Sequence, residues 1–426
     1  MPTKTTDAVP EAPRKRTPST GRSAFFVAVG VLCSRVAGLV RQRVIAHYFG
    51  LEMEADAWAA AFKIPNFLQN LFGDQALSGS FIPVYASLLA RGERREADRV
   101  AGAVASLLAL VVSVIVLVGV AATPLFIDAI APGFLGAKRE LTIELVRILF
   151  PGAGLLVMSA WCLGVLNSHH RFLLSYTAPV LWNAAMITTL IIFGGGTPLP
   201  VLARRLAWGS VVGSAMMFGA QVPFVLKMAP DVRFALDVAS AEVRTVVRNF
   251  FPVFVSRGVV QTSSYIDQLL ASLLPTGAVA GMANAYLLSN LPVSLFGMSI
   301  SAAELPAMSG VVFDEAGLDA LRRRLDAGLR QIAFFVVPSA VALLTLGDVA
   351  AAAVFQTGRF GHGDALYVWT ILGGSAVGLL ASTLGRLYAS TYYALRDTRT
   401  PLKCALVRVA LTTVLGYMCA IPLPRW

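Results

Sequence analysis

The chain has 426 residues, 56% of them hydrophobic and 14% charged, and a formal net charge of +11. A mean hydropathy of +0.70 excludes an ordinary soluble domain, because apolar surface in that proportion has no aqueous conformation that hides it. The basic residues fall in short connections between apolar runs rather than on one polar segment, so the charge points to membrane topology and no nucleic-acid partner is expected.

In chain order, residues 1–23 form a polar tail rich in Pro, Thr and basic side chains, with no small-residue cleavage pattern before the apolar segment that follows. The tail reads as cytoplasmic rather than as a signal peptide. Apolar runs of about 20 residues then recur, each long enough for a helix to cross a ~30 Å hydrocarbon core. Spans are predicted near 24–46, 57–90, 101–122, 142–166, 174–193, 204–226, 245–273, 281–309, 328–353, 365–394 and 402–422, about 11 transmembrane helices in all. Alternate connections are unequal in charge: the tail, 91–99, 167–173, 227–248, 310–331 and 395–403 hold about 21 Lys and Arg, against about six in the opposite set. Cytoplasmic loops carry the excess of basic residues, so the amino terminus is predicted to lie inside.

An internal repeat runs through these spans. Asn66 is followed by Leu71-Phe72-Gly73 and Pro83; Asn290 is followed at the same spacing by Leu295-Phe296-Gly297, then by Pro306 one residue sooner. Ser34-Arg35 is echoed by Ser256-Arg257, and the elbow from Asn167 to Arg171 by that from Leu395 to Arg399. Matches in one order at a shift of roughly 220 to 230 residues indicate two copies, and the even number of spans between them gives both halves the same orientation. The predicted layout is a tail at 1–23, an N-lobe at 24–226 with helices 1–6, a basic cytoplasmic linker at 227–248, and a C-lobe at 249–426 with helices 7–11. The second copy holds one span fewer than the first and is expected to be incomplete. The fold class is therefore an all-α polytopic membrane protein of two pseudo-symmetric six-helix lobes.

Ionisable groups at bilayer depth cost roughly 2.5 kcal/mol or more, so they face a cavity or a partner. Arg35 lies near mid-span and is predicted to face a cavity, or else to pair with Asp56. Arg41 and Arg43 either do the same or snorkel to an interface. In the second span Asp56, Lys63, Asn70 and Asp74 step by seven, seven and four residues and share one helix face. Pro65, beside Asn66, is predicted to kink this helix and make it a gate. In the second half Arg257, Asp267, Glu304, Arg386 and Arg408 add intramembrane charge, with Asp267 and Glu304 serving either structural pairs or ion coupling. Basic groups converging from both halves suit a phosphate or pyrophosphate. Cys33, Cys162, Cys404 and Cys419 lie in or beside apolar runs without metal-ligand spacing, and catalytic signatures are lacking, so neither a metal site nor an enzyme is expected.

The stretch from Ser34 to Arg41 (SRVAGLVR), then Ala55-Asp56-Ala57, Phe62-Lys63-Ile64-Pro65-Asn66-Phe67-Leu68 and Phe81-Ile82-Pro83-Val84-Tyr85 resembles the MurJ/MviN family of lipid II flippases. Ala131-Pro132-Gly133-Phe134, Leu295-Phe296-Gly297, the run FQTGRF at 355–360 and the run YALRDTRTP at 393–401 extend the resemblance over nearly all of the chain after the tail. The resemblance implies a MATE-like fold of the MOP superfamily around a cationic cavity, in the bacterial inner membrane. It further implies transport of an undecaprenyl-pyrophosphate lipid, lipid II, from the cytoplasmic to the outer leaflet by alternating access, without a cofactor and driven by membrane potential or an ion gradient. Arg35, Arg41, Asp56 and Lys63 fall on family positions tied to cavity charge, with Asn66 and Arg257 as further substrate contacts. Pro65, Asp74, Asp267, Glu304 and Arg386 are the gating or coupling candidates. Two departures matter: Gln69 stands where some members carry a basic residue, and Leu287 where the family places a cavity arginine. A sodium site known in part of the family would use Asp267; Thr412 and Thr413 offer it no acidic partner, so sodium is not assigned. Other lipid-linked oligosaccharides, or a scaffold role toward cell-wall synthesis enzymes, are the alternative readings.

Overall fold

In hydrocarbon every backbone N–H and C=O must find its partner within the chain, and a helix satisfies them all locally. The computed structural model describes residues 20–237, 240–301, 304, 308, 315–395, 397 and 399–420, and among them helices carry the whole architecture. They are α1 (Thr20–Phe49), α2 (Met53–Phe72), α3 (Asp74–Ala90), α4 (Arg94–Ile130), α5 (Gly136–Ser168), α6 (Phe172–Phe193) and α7 (Leu199–Met228). The second copy supplies α8 (Ala241–Ser272), α9 (Ala278–Pro292) with a π-helical turn at Val293–Met298, α10 (Glu315–Phe355), α11 (His362–Ala394) and α12 (Arg399–Ala420).

Seven of the described helical segments are long and apolar enough to cross a membrane: Arg94–Ile130, Gly136–Ser168, Phe172–Phe193, Leu199–Met228, Ala278–Ser301, Asp319–Phe355 and His362–Tyr392. The other expected spans also form helix, but α1, α2, α8 and α12 carry charges along their length, among them Arg35, Asp56, Asp267 and Arg408. Outward-facing Leu117, Leu125, Phe334 and Val377 are 73%, 74%, 72% and 78% exposed, a belt that only lipid could cover. The chain is a multi-span membrane protein.

Loops alternate between two ends as the charge count requires. At the charge-poor end the short connections after α1, α4, α6, α8 and α10 meet one another: Gly50 lies against Arg359, Gly277 against Leu51, and Gly133 against Ser272. At the basic end the 229–237 linker is strapped to α4, where Asp98 accepts the Asp231 N–H at 3.2 Å and Arg99 pairs with Asp237 at 2.6 Å. A Cβ at Gly102 would overlap the Arg233 carbonyl, so a glycine is what lets the strap lie flat on α4.

Two features of the predicted layout need correction. The single span at 57–90 is two helices, and the break falls at Gly73 rather than at Pro65, through which α2 runs without interruption. Asp74 is therefore the first residue of α3 and does not continue the polar face of α2. The physical reason lies at Gly73, whose extended ψ of −138° ends α2 and whose missing Cβ makes room for the Gln69 carbonyl. In the second copy the equivalent Leu295-Phe296-Gly297 sits inside the π-helical turn, so both copies distort the helix at the same motif.

The N-lobe core joins α1 to α7, with Phe49, Phe81, Tyr85 and Leu156 at its centre. Val243 and Val246 of α8 belong to that core, and α8 lies along α3 and α4. The first helix of the second copy thus rests on the first lobe. The remaining C-lobe helices build cores of their own around Phe355 and Phe360 and around Ile332 and Val336.

Candidate functional site

The chemistry-bearing residues lie along the division between the lobes. Asp56, in the first turn of α2, is wholly buried and accepts Lys138 Nζ at 2.6 Å. It also accepts the backbone N–H groups of Gly277 and Ala280, both at 2.8 Å. Those two N–H groups open α9, so a carboxylate of the first lobe caps a helix of the second at its positive end. Gly277 at φ +97° makes the turn into that helix, which an L side chain would strain. The alternative expected for Arg35, a pair with Asp56, does not form among the described residues, where Arg35 bonds Ser294 instead.

Lys138, which sequence reasoning missed, also stacks on Phe134 with its Nζ 4.2 Å from the ring centre. Its signal was available. Basic residues are scarce at the charge-poor end, so a lysine there serves no topological purpose and calls for a specific partner. Arg139 beside it obeys the same logic through a two-point pair with Asp128 at 2.6 and 2.9 Å.

Toward the basic end, two cations reach across the division. Arg35 Nη1 donates to Ser294 Oγ in the π-helical turn at 3.2 Å, and the side chain is exposed. Lys63 Nζ donates to the Ser264 carbonyl of α8 at 3.1 Å. Asp267, one turn farther on α8, is half-buried and feels the charges of both Lys63 and Arg408. Arg41 behaves differently: it turns into its own lobe, donates to Asn183 Oδ1 at 2.9 Å and lies over the Phe62 and Trp182 rings at 4.9 and 5.7 Å. Its Nε is buried without a partner among the described residues, so Arg41 keeps donor capacity unspent.

The remaining candidates scatter. Asn66 donates to the Phe62 carbonyl of its own helix at 3.2 Å, and Pro65 is buried in α2. Glu304 lies 3.5 Å from Arg324 of its own lobe. Arg386 is exposed on α11. The side chains of Asp74 and Arg257 lie outside the described residues.

Two lobes related by a repeat are thus joined at one end by a buried ionic cap and bridged toward the other by single bonds from basic residues. The family "Lipid II flippase MurJ" matches residues 45–425. The chain belongs to the MurJ family. Among its relatives, "Lipid II flippase MurJ" of Burkholderia cenocepacia is 31% identical over 403 residues, covering 93% of this chain and 78% of the relative. "Probable lipid II flippase MurJ" of Vibrio cholerae is 29% identical over 411 residues, covering 94% and 77%. The fold is that of a solved "Lipid II flippase MurJ, inward closed conformation", with a TM-score of 0.78 at 23% identity over 92% of this chain and 81% of that one. It is also that of an inward-facing multidrug resistance MATE transporter of the MOP superfamily, with a TM-score of 0.74 at 15% identity over 94% and 90%. The expected two-lobed MOP architecture is thus the fold of the chain.

Proposed function

We propose that this chain carries lipid II from the cytoplasmic to the outer leaflet of the bacterial inner membrane by alternating access between its lobes. The amino terminus and the basic end face the cytoplasm, and the charge-poor end faces out. The observation that carries the reading is the unequal closure of the division: two α9 backbone N–H groups donate to a fully buried Asp56, itself paired with Lys138 of its own lobe, and hold the outer end, while Arg35 and Lys63 bridge farther in by single bonds of 3.2 and 3.1 Å to a serine hydroxyl and a carbonyl. A single neutral acceptor is a weaker partner for a cation than an anion is. A pyrophosphate entering from the cytoplasm displaces them with ion pairs in which both partners are charged, and which an arginine can make through two parallel bonds, while the polyprenyl tail stays in lipid.

The direction of transport follows from charge. Two negative charges moving toward the positive outer side gain about 2.3 kcal/mol each per 100 mV, comparable with the ~5.5 kcal/mol needed to invert a two-state equilibrium from 1:99 to 99:1. Membrane potential or an ion gradient is the proposed driving force, and no cofactor takes part. Asp267, which feels the charges of both Lys63 and Arg408, serves this scheme as a counter-charge for them when no substrate is bound.

The test is native mass spectrometry of the purified chain with lipid II and with undecaprenyl phosphate. Retention of lipid II in preference to the monophosphate, reduced about tenfold or more by Arg35→Ala, is expected, since losing a charge-assisted bond costs ~1.5–3 kcal/mol. Equal retention of both lipids refutes the reading. Leu287 supports a second one, because it packs against the second-lobe core where the family carries a cavity arginine. Preference for another polyprenyl-pyrophosphate oligosaccharide over lipid II would select that alternative.

A further inference from the structure

We infer that Arg43 is a gating residue: its guanidinium, on the first lobe, caps the carboxyl end of α10 in the second and holds the outer end of the transporter closed. The inference rests on the alternating-access reading and adds a latch separate from Asp56.

Helix ends leave carbonyls without partners inside the helix. At the end of α10 the Ala352 carbonyl is taken by the Gln356 N–H at 2.9 Å. The next two, of Ala353 and Val354, both accept Arg43 Nη1 at 2.7 Å. A cation at the negative end of a helix dipole is favourable, and here the cation belongs to the other lobe. An arginine so near the end of α1 could reach water by snorkelling alone; Arg43, although exposed, donates to two carbonyls across the division.

The rest of that face of α1 follows the same course. Gln42 donates to Asn284 Oδ1 of α9 at 2.8 Å. Ala46, one turn after Gln42, is 2% exposed and sits in the second-lobe core with Ala285, Phe355 and Phe360. His47, one turn after Arg43, accepts the Arg359 N–H on its carbonyl at 2.9 Å, and its Nδ1 lies 2.8 Å from Thr357 Oγ1. Gly358 at φ +57° takes the loop past the His47 carbonyl, where a Cβ would collide. The FQTGRF run at 355–360 is thus the receptor for the end of α1. Separating the lobes at the outer end draws Arg43 away from α10 and strands both carbonyls, so Arg43 biases the protein toward the outward-closed state.

The experiment places a single cysteine at Ala285, which is fully buried between the lobes, in the full chain with its four native cysteines replaced by alanine. Its labelling by a charged, membrane-impermeant thiol reagent is followed from the outer side. Arg43→Ala is expected to raise the labelling rate about tenfold, the factor that ~1.4 kcal/mol represents, with Arg43→Lys intermediate because the charge is kept on a shorter side chain that reaches the two carbonyls less well. An unchanged rate in Arg43→Ala overturns the inference. Should that variant not accumulate, Arg43→Gln replaces it under the same criterion. Labelling needs no substrate, so a failure of the lipid II assignment would leave this result standing, and a flat labelling rate would leave that assignment untouched.

Discussion

Asp56 shows what single positions contribute. Its pair with Lys138 is almost dry, with the lysine side chain 11% exposed, and such pairs matter chiefly through what happens when one partner is lost. Asp56→Asn keeps the shape but leaves an ammonium buried beside a weakened cap, and should cost about 3 kcal/mol or more. The loss is read from thermal unfolding in detergent. Lys138→Met in the same chain should recover a measurable part of it, and strict additivity in that cycle would refute the pairing. Arg35 and Lys63 could be singled out from the sequence because depth alone makes a charge conspicuous. Which groups meet Asp56 could not be read there: Lys138, though conspicuous at the charge-poor end, and Gly277 are 82 and 221 residues away, and a backbone N–H leaves no mark in a sequence.

Among the helices, the LFG motif explains more than the prolines. Pro65 drew attention because proline removes a hydrogen bond, yet α2 absorbs it and yields at Gly73, where two segments of backbone meet too closely for any side chain. The second copy answers with a π-helical turn in which Gly297 faces Thr383 of α11 with no space for a Cβ. Gly297→Ala should therefore force a local repacking that costs about 1–3 kcal/mol, lowering the unfolding temperature and the transport rate together. Gly38→Ala on α1 meets nothing within 4 Å and serves as the control, with little change expected. Equal effects of the two substitutions would show that the fit at the π-helical turn is unimportant. Repeat spacing revealed that the two motifs correspond; only backbone geometry revealed that both are breaks.

For the whole molecule, the decisive relation is between lobes. The outer end is held at several separated points, Asp56 to α9, Gln42 to Asn284, and α1 to the end of α10. A short bifunctional thiol linker joining Gln42→Cys to Asn284→Cys should arrest transport by preventing that end from opening, and reduction should restore it. Transport that continues through the cross-link would contradict alternating access at this division.

Hydropathy and charge asymmetry are local or additive properties of a chain, so the sequence by itself determined the membrane class, the alternation of loops, the two-copy layout and the intramembrane charges worth noticing. The tertiary structure alone decided which of those charges meet. It turned Arg41 into its own lobe, placed Asp56 on a helix of the other, and made Arg43 the cap of α10. It also laid α8 on the lobe that precedes it. The physical reason is common to all four: each is made of contacts between residues far apart in the chain, which local composition and periodicity do not encode.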